Sequence, residues 1–191
     1  MSFDVLFEFE EELGKYTGAP YVVATDGCTH AIELCMRYHT VTSTSFTAYT
    51  YLSIPQLMDQ LEIKYTLLDE QWTGEYQFHA TNIWDSARRL ERNMYRTKQK
   101  QCLSFGNGKP LQIGKVGAIL LDDKHEYEVL SRWRSDGRDL RQPGWANQEL
   151  TIGYHYCPTL EDCKRGLEKL AQVDERPKYI SYPDCRNLTI E

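Results

Sequence analysis

The chain lacks two features that would point to large classes of partner. It has no excess of positive charge, since 22 basic residues against 28 acidic ones give a net charge of −6. Binding to nucleic-acid phosphates needs a basic face. The chain also has no long apolar run: the longest covers residues 116–121, and a membrane span needs roughly 20 residues. Neither nucleic acid nor a membrane is therefore an expected partner.

The cysteines also lack the spacing of a metal site. None of the six stands in a Cys-x-x-Cys pair or at zinc-finger spacing from two histidines. The N-terminal sequence MSFDVLFEFEEE is acidic, whereas a secretory signal begins basic and continues apolar. We therefore expect a cytoplasmic protein with buried free thiols, no metal and no disulfide.

The sequence does contain enough apolar residues for one packed α/β domain. Hydrophobic residues make up 41% of the 191 positions and aromatic residues 12%. Periodicity predicts helices at 5–16, 30–38, 53–61, 125–135 and 160–172, and strands at 21–24, 44–50, 64–69, 78–84, 101–105 and 116–122. This alternation is typical of an α/β fold. We assign residues 1–173 to the domain and residues 174–191, which are polar and contain proline, to a tail with a short strand at 179–182.

A glycine turn follows the first predicted strand. Gly27 and Cys28 lie between that strand and the helix at 30–38. A strand that leads through glycine into a helix gathers unpaired backbone N–H groups, which can bind an anion. Glycine is common at such turns, so this feature alone is a weak indication of a phosphate site.

A carboxylate ends the strand predicted at 78–84. Asp85 comes directly after it, and open α/β sheets bind ligands at the carboxyl ends of their strands. The alternative is that Asp85 caps a short helix at 86–90.

A lysine lies in the glycine-rich turn SFGNGKP, residues 104–110. This turn is not an ATP-binding P-loop, because Leu103 and Pro110 stand where that motif needs glycine and a hydroxyl residue. If the turn buries Lys109, desolvation makes its amine a usable nucleophile. The alternative is a lysine that faces solvent. A lysine, an acid and an anion site together are what pyridoxal phosphate (PLP) requires.

An ordered series of motifs resembles the DegT/DnrJ/StrS-type nucleotide-sugar aminotransferases, of the fold-type I PLP class. FEFEEELGKYTGAPYVVATDGCTHAIEL looks like the family's first helix, strand and phosphate turn, and TAYTYLSIPQLMDQLEIKYTLLD like its next strand, helix and strand. NIWDSARRLERNMY resembles the Glu-Asp-Ala-Ala segment, LSFGNGKP the Ser-Phe-x-x-x-Lys segment, and IGYHYCPTLEDCKRGLEKL the Tyr-Asn-Tyr-Arg-Met segment. The resemblance covers roughly residues 5–173, in order.

The resemblance implies a fold and a set of site residues. The fold is an α/β three-layer sandwich with a mostly parallel sheet, a reduced version of the fold-type I large domain. Lys109 is the implied Schiff-base residue, and Asp85 is the partner of the pyridine nitrogen. The implied cofactor-binding residues are Gly27, Cys28, Tyr51, Asp85, Arg88, Ser104, Lys109 and His155.

The implied activity is transfer of an amino group from an amino acid donor to a keto sugar nucleotide. The family's site is shared across a homodimer, so we expect a dimer in which His155 reaches the partner's site. The chain departs from the family pattern, with Cys28 for threonine, Arg88 for glutamine or histidine, and His155 for asparagine. It also looks shortened, with no small domain and almost no β-α stretch between residues 69 and 85. Two alternatives stay open: a different or smaller acceptor, and a catalytically reduced paralogue that binds cofactor or serves as an assembly partner.

Overall fold

The structure, a computed structural model, describes residues 2–142, 149–173 and 182–188. The helices are α1 (Asp4–Thr17), α2 (Cys28–Tyr38), α3 (Ser53–Gln60), α4 (Lys124–Trp133) and α5 (Leu160–Leu170), with a short 3-10 helix at Cys185–Asn187. The strands are β1 (Tyr21–Thr25), β2 (Ser43–Thr47), β3 (Lys64–Leu68), β4 (Tyr76–Gln77), β5 (Ile83–Asp85), β6 (Lys100–Ser104) and β7 (Gly117–Leu121). No helix in these described ranges is long and apolar enough to span a membrane.

The two helices with the clearest sequence signals form as the patterns predict. The apolar stripe of α1 buries Leu6, Phe9 and Leu13 completely. This helix ends at Gly18, which adopts the left-handed conformation with φ 77° that favours glycine at a helix C-terminus. The Thr159 side chain caps α5 by accepting a hydrogen bond from the Asp162 N–H at 3.1 Å.

The larger sheet has five strands in the order β1-β7-β6-β5-β4. The prediction of an α/β fold is confirmed, but the prediction of a mostly parallel sheet is wrong. Three of the four strand pairs are antiparallel, because β7 runs opposite to β1 and β6, and β4 runs opposite to β5. Parallel pairing joins β5 to β6, and it joins β2 to β3 in a separate two-stranded sheet.

The short connection between β4 and β5 explains part of this difference. A parallel pair needs a crossover of about a dozen residues or more, whereas only residues 78–82 separate these two strands. They form a tight turn in which the Thr81 N–H donates to the Phe78 carbonyl at 3.1 Å, and the Phe78 N–H donates to the Ile83 carbonyl at 3.0 Å. The strand predicted at 78–84 is therefore a turn followed by β5. No helix forms at 86–90.

Helices cover both faces of the five-stranded sheet. Alternate side chains of β1 and β7 enter opposite cores, so that Val22 packs with α1 and α5, whereas Val23 and Ile119 pack with α2 and α4. Gly166 allows α1 and α5 to approach closely, because a Cβ there would lie 2.4 Å from the Phe9 ring. The three-layer arrangement is confirmed.

A buried ion pair fixes the position of β1. Glu10 on α1 accepts a hydrogen bond from the Ala24 N–H at 2.8 Å and forms an ion pair with Arg134, which follows α4. Arg134 also donates to the Ala24 carbonyl at 2.7 Å. The two side chains are 5% and 1% exposed. These contacts tie α1, the end of α4 and the strand that leads to the site into one unit.

The strand ends that surround the candidate site meet at one edge of the sheet. Gly117, the first residue of β7, pairs with Thr25 at the end of β1 and with Ser104 at the end of β6. The last residue of β5 is Asp85, which pairs with Cys102 of β6. The carboxyl ends of β1, β5 and β6 therefore lie together, at the edge where open α/β sheets bind ligands.

Candidate active site

A cavity of about 360 Å³ opens at this edge of the sheet. Seven of the eight residues that the sequence indicated for cofactor binding line it: Gly27, Cys28, Tyr51, Asp85, Arg88, Ser104 and Lys109. The cavity volume falls within the roughly 300–1,000 Å³ that is typical of small-molecule sites. The fold thus brings these residues from four separate segments of the chain into one pocket.

One end of the cavity is suited to an anion. Gly27, Cys28 and Ser104 line it, and α2 begins there. The first N–H groups of a helix have no partner within the helix and carry the positive end of its dipole; no described side chain caps α2. A Cβ on Gly117 would lie 2.5 Å from the Cys28 nitrogen, so glycine at that position lets the turn approach the sheet. The chemistry of these N–H groups and of the Ser104 hydroxyl suits an anion.

The Asp85 carboxylate is buried and held by two donors. The Ala87 N–H donates to its Oδ1 at 2.9 Å, and the Tyr76 hydroxyl donates to its Oδ2 at 2.9 Å. Burial raises the pKa of Asp85, while the Ala87 N–H, the charge of Lys109 and the Tyr76 hydroxyl oppose that rise. Asp85 is therefore a buried acceptor at the cavity wall, and burial raises its pKa above the ordinary value.

The Tyr76 phenol extends this hydrogen-bonded group. Tyr76 and Asp85 are directly opposite each other in the β4–β5 register, and the Tyr76 hydroxyl lies 2.6 Å from Thr50 Oγ1. Burial, followed by the neighbouring charge of Asp85, raises the pKa of the Tyr76 phenol well above its usual range. Tyr76 thus stays neutral and serves as a donor to Asp85.

The thiol of Cys28 lies beside Asp85. Its Sγ is 3.4 Å from the Cys102 carbonyl and 4.0 Å from Asp85 Oδ1. Burial raises the pKa of Cys28 well above its ordinary value, and the charge of Asp85 adds to the rise. The thiol is therefore protonated at neutral pH. Within the residues that the structure describes, no cluster of three or more candidate metal ligands is found.

Lys109 and Arg88 meet on one phenol oxygen. Lys109 Nζ and Arg88 Nε each donate to the Tyr182 hydroxyl oxygen, both at 3.0 Å. Arg88 also donates through Nη1 to the Gly108 carbonyl at 3.0 Å, which links it to the turn that carries the lysine. The Lys109 amine is thus placed at the cavity wall.

Aromatic side chains form the outer wall of the cavity. Tyr51 lines it with 60% of its surface exposed. Trp72 lines it as well, held by a hydrogen bond from its indole N–H to the Tyr49 carbonyl at 2.6 Å. The Trp72 ring stacks on Tyr182 with 5.8 Å between ring centroids and 11° between the planes.

His155, the remaining residue of the predicted set, does not line this cavity. Its side chain is 92% exposed, and Nδ1 lies 3.1 Å from Asp136 Oδ1. Gly153 and Tyr156 belong to the same segment as His155. The Tyr156 ring stacks on the His30 ring, with 3.8 Å between the ring centroids. His155 therefore lies outside its own chain's cavity, exposed to solvent and in contact with Asp136.

Among the residues that sequence reasoning missed, Trp72, Lys115 and Tyr182 line the cavity and Tyr76 supports Asp85. Trp72 and Tyr76 lie between residues 69 and 85, where the sequence showed no motif. Tyr182 lies in the region assigned to the tail. For Trp72, Tyr76 and Tyr182, the one sequence signal that could have indicated a role was an aromatic residue in a segment without regular periodicity.

The residues of the cavity fit PLP by their chemistry. The start of α2 and the Ser104 hydroxyl suit a phosphate, the buried carboxylate of Asp85 suits a ring nitrogen, and the Lys109 amine suits an aldehyde. Tyr51 and Trp72 supply aromatic surface for a planar ring.

Comparison with known proteins connects the chain to one family. Residues 4–69 match the sequence model of the DegT/DnrJ/EryC1/StrS aminotransferase family. No curated protein matches the chain.

Solved structures match over most of the chain. CalS13 from Micromonospora echinospora, a sugar aminotransferase, is 16% identical with a TM-score of 0.72, over 90% of this chain and 61% of CalS13. PseC from Helicobacter pylori, an aminotransferase involved in the biosynthesis of pseudoaminic acid, is 15% identical with a TM-score of 0.70, over 88% of this chain and 57% of PseC. Spr1654 from Streptococcus pneumoniae, assigned as a sugar aminotransferase, matches in its PMP form with 16% identity and a TM-score of 0.71, over 88% of this chain and 60% of Spr1654.

These structural matches establish the fold, and the chain spans only 57% to 61% of the length of the three solved chains. The resemblance to the DegT/DnrJ/EryC1/StrS aminotransferase family is confirmed, by sequence over residues 4–69 and by fold over about nine tenths of the chain.

Proposed function

We propose that the protein is a PLP-dependent aminotransferase that moves an amino group from an amino acid donor to a keto sugar nucleotide. The observation that carries this proposal is that one cavity is lined by Lys109, Asp85 and the start of α2. An amine, a buried carboxylate and an anion site are needed together for PLP. Residues 1–173 would form the cofactor-binding domain.

In this proposal the phosphate and the ring nitrogen of PLP are bound by different residues. The N–H groups of Gly27 and Cys28, with Ser104 Oγ, bind the phosphate. Asp85 accepts a hydrogen bond from the ring nitrogen and keeps that nitrogen protonated. When bound, PLP supplies an electron sink for the carbanion at the donor Cα.

Lys109 would hold the cofactor covalently through Nζ. When Lys109 is free, its Nζ lies at the cavity wall beside Arg88 and Tyr182, where it would move the proton of the donor Cα. Tyr76 supports Asp85 by donating to Oδ2, so the other carboxylate oxygen keeps a lone pair for the ring nitrogen.

A homodimer with a shared site is the second part of the proposal. The segment before Tyr156 exposes Ile152 by 86% and Leu150 by 55%, and exposed apolar side chains of this kind mark contact surfaces. In such a dimer the exposed His155 enters the partner's cavity. Size-exclusion chromatography should show a dimer, and a monomer that retains cofactor would contradict a shared site.

The experiment that tests the activity separates two lysines of the same cavity. Lys109→Ala should abolish the visible absorption band that PLP gives when it is bound covalently to lysine, while Lys115→Ala should retain it, because both residues line the cavity but only Lys109 has the proposed role. A band that persists in Lys109→Ala contradicts the assignment. If the wild-type chain shows no band, a binding or assembly role is favoured instead.

A further inference from the structure

Residues 182–188 return to the site and place an aromatic residue in the cavity. Tyr182 lines the same cavity as Lys109 and Asp85. Its ring stacks on Trp72 and meets Tyr51 edge-on, with 6.4 Å between ring centroids. Through Tyr182, this segment is therefore part of the cavity wall.

Contacts outside the cavity anchor this segment. Cys185 is 3% exposed; its N–H donates to the Ala48 carbonyl at 2.9 Å, and its thiol donates to the Thr50 carbonyl at 3.5 Å. Asp184 forms a β-bridge with Tyr49. These bonds hold the segment against the chain between β2 and α3 independently of any contact that Tyr182 makes.

The Tyr182 oxygen accepts hydrogen bonds from two cationic side chains. Lys109 Nζ and Arg88 Nε both donate to it at 3.0 Å. Hydrogen bonds from charged donors are roughly twice as strong as neutral ones. The Arg88 contact does not depend on the chemical state of Lys109. The Lys109 contact is strongest with a free amine, which can turn any of its hydrogens toward the phenol oxygen, whereas a C=N nitrogen has at most one hydrogen in a fixed direction.

Covalent attachment changes what the lysine nitrogen can donate. Condensation of Nζ with an aldehyde forms a carbon–nitrogen double bond and releases one water, so the nitrogen retains at most one hydrogen. With the amine form of the cofactor, pyridoxamine phosphate (PMP), no such bond forms and Lys109 keeps all its hydrogens. The contact from Lys109 to Tyr182 therefore stabilises the state in which the lysine is free.

On the basis of the proposed function, we propose that Tyr182 is a further residue of the active site, which accepts a hydrogen bond from the released Lys109 amine and thereby favours the PMP form over the PLP form. A bond that is stronger in one of two forms shifts the balance between them by the difference in its free energy. For one charge-assisted hydrogen bond this is roughly tenfold.

The test compares the two cofactor forms in Tyr182→Phe. This variant keeps the ring that stacks on Trp72 and removes the acceptor oxygen. Titration of wild type and variant with PLP and with PMP, followed by absorption, should show that the preference for PMP falls roughly tenfold. Tyr95→Phe is the matched control, since its hydroxyl donates to the Gln99 carbonyl at 3.1 Å and it does not line the cavity. An unchanged preference overturns the proposal.

Tyr182→Ala tests whether Tyr182 instead hinders the binding of both cofactor forms. If Tyr182 simply fills space that the cofactor needs, Tyr182→Ala tightens PLP and PMP equally, and the proposal is wrong. We expect this variant to lose the preference for PMP at least as fully as Tyr182→Phe.

A measurement without cofactor separates this proposal from the proposed function. Lysines are labelled with an amine-reactive ester and mapped by peptide, with the exposed Lys98 as internal reference. Tyr182→Phe should raise labelling of Lys109 several-fold relative to Lys98, and equal labelling shows that the phenol does not hold the amine. If the wild type binds neither PLP nor PMP, the proposed function and the preference for PMP both fail, and the labelling alone decides whether the contact exists.

Discussion

Tyr76 and Asp85 face each other across the β4–β5 pair, and the Tyr76 hydroxyl donates to Asp85 Oδ2 at 2.9 Å. The donor supports the carboxylate on which the proposed chemistry depends. A short antiparallel hairpin thus holds Asp85 in place.

Removal of the Tyr76 hydroxyl should weaken the site without reshaping it. In Tyr76→Phe, Asp85 loses a donor that lowers its pKa, so the pKa should rise further. We expect a loss of roughly 1–2 kcal/mol in the free energy of unfolding, and weaker binding of PLP, measured by denaturant titration and by absorption. Tyr65→Phe is the control, because its hydroxyl makes an exposed contact of 3.5 Å with Asp59. Equal effects of the two variants would contradict the role of Tyr76.

Asp85 should make the stability of the cofactor-free protein depend on pH. Burial raises its pKa in the folded state, so the folded chain binds this proton more tightly than the unfolded chain does. Stability should therefore fall as the pH rises from about 4, the unfolded value, through the raised pKa, and should stay reduced above it. Denaturant titrations across this range should show a shallower fall in Asp85→Asn than in the wild type. The same dependence of stability on pH in Asp85→Asn and in the wild type would contradict a raised pKa of Asp85.

Gly117 should be required for the anion site. A Cβ at this position would lie 2.5 Å from both the Cys28 nitrogen and the Gly27 carbonyl carbon, so Gly117→Ala must displace the turn that begins α2. We expect at least a tenfold loss of PLP affinity by absorption titration. Gly106→Ala is the matched control at the same cavity, since its Cβ would meet Ser104 Oγ at an ordinary 3.8 Å. An unaffected Gly117→Ala would show that the turn does not bind the phosphate.

Glu10→Gln should be strongly destabilising. It removes the counter-charge of Arg134, which is 1% exposed, and leaves a buried guanidinium without its partner. Loss of one member of a buried pair costs roughly 3–5 kcal/mol of unfolding free energy. Glu12→Gln breaks the exposed pair with Lys15 and should have a much smaller effect, because exposed ion pairs contribute little to stability. Similar thermal shifts in the two variants would contradict the account of the buried pair.

Local sequence signals predicted the helices and the edge of the sheet that carries the site. The apolar spacing of α1 and the Thr159 cap of α5 act within a few residues, and both can be recognised in the sequence. Strand direction in the sheet could not be predicted this way, because β7 pairs with β1 across about half the length of the chain. The alternative of a helix after Asp85 is wrong for a local reason: Asp85 Oδ1 accepts the Ala87 N–H within a turn, and residues 86–90 form no helix.

The site was predictable only in part. Lys109, Asp85 and Ser104 stand in recognisable motifs, and the fold brings them to one cavity. Tyr76 and Tyr182 contact the site through tertiary packing, from segments without periodicity. Their roles depend on single hydrogen bonds that no local pattern encodes.

The most direct test of the account is to identify the residue that carries the cofactor in the wild-type chain. The protein is incubated with PLP, reduced with borohydride, digested and mapped by mass spectrometry. The account predicts one reduced adduct on Lys109. An adduct on Lys115 or on a surface lysine, or no adduct at all, would contradict it.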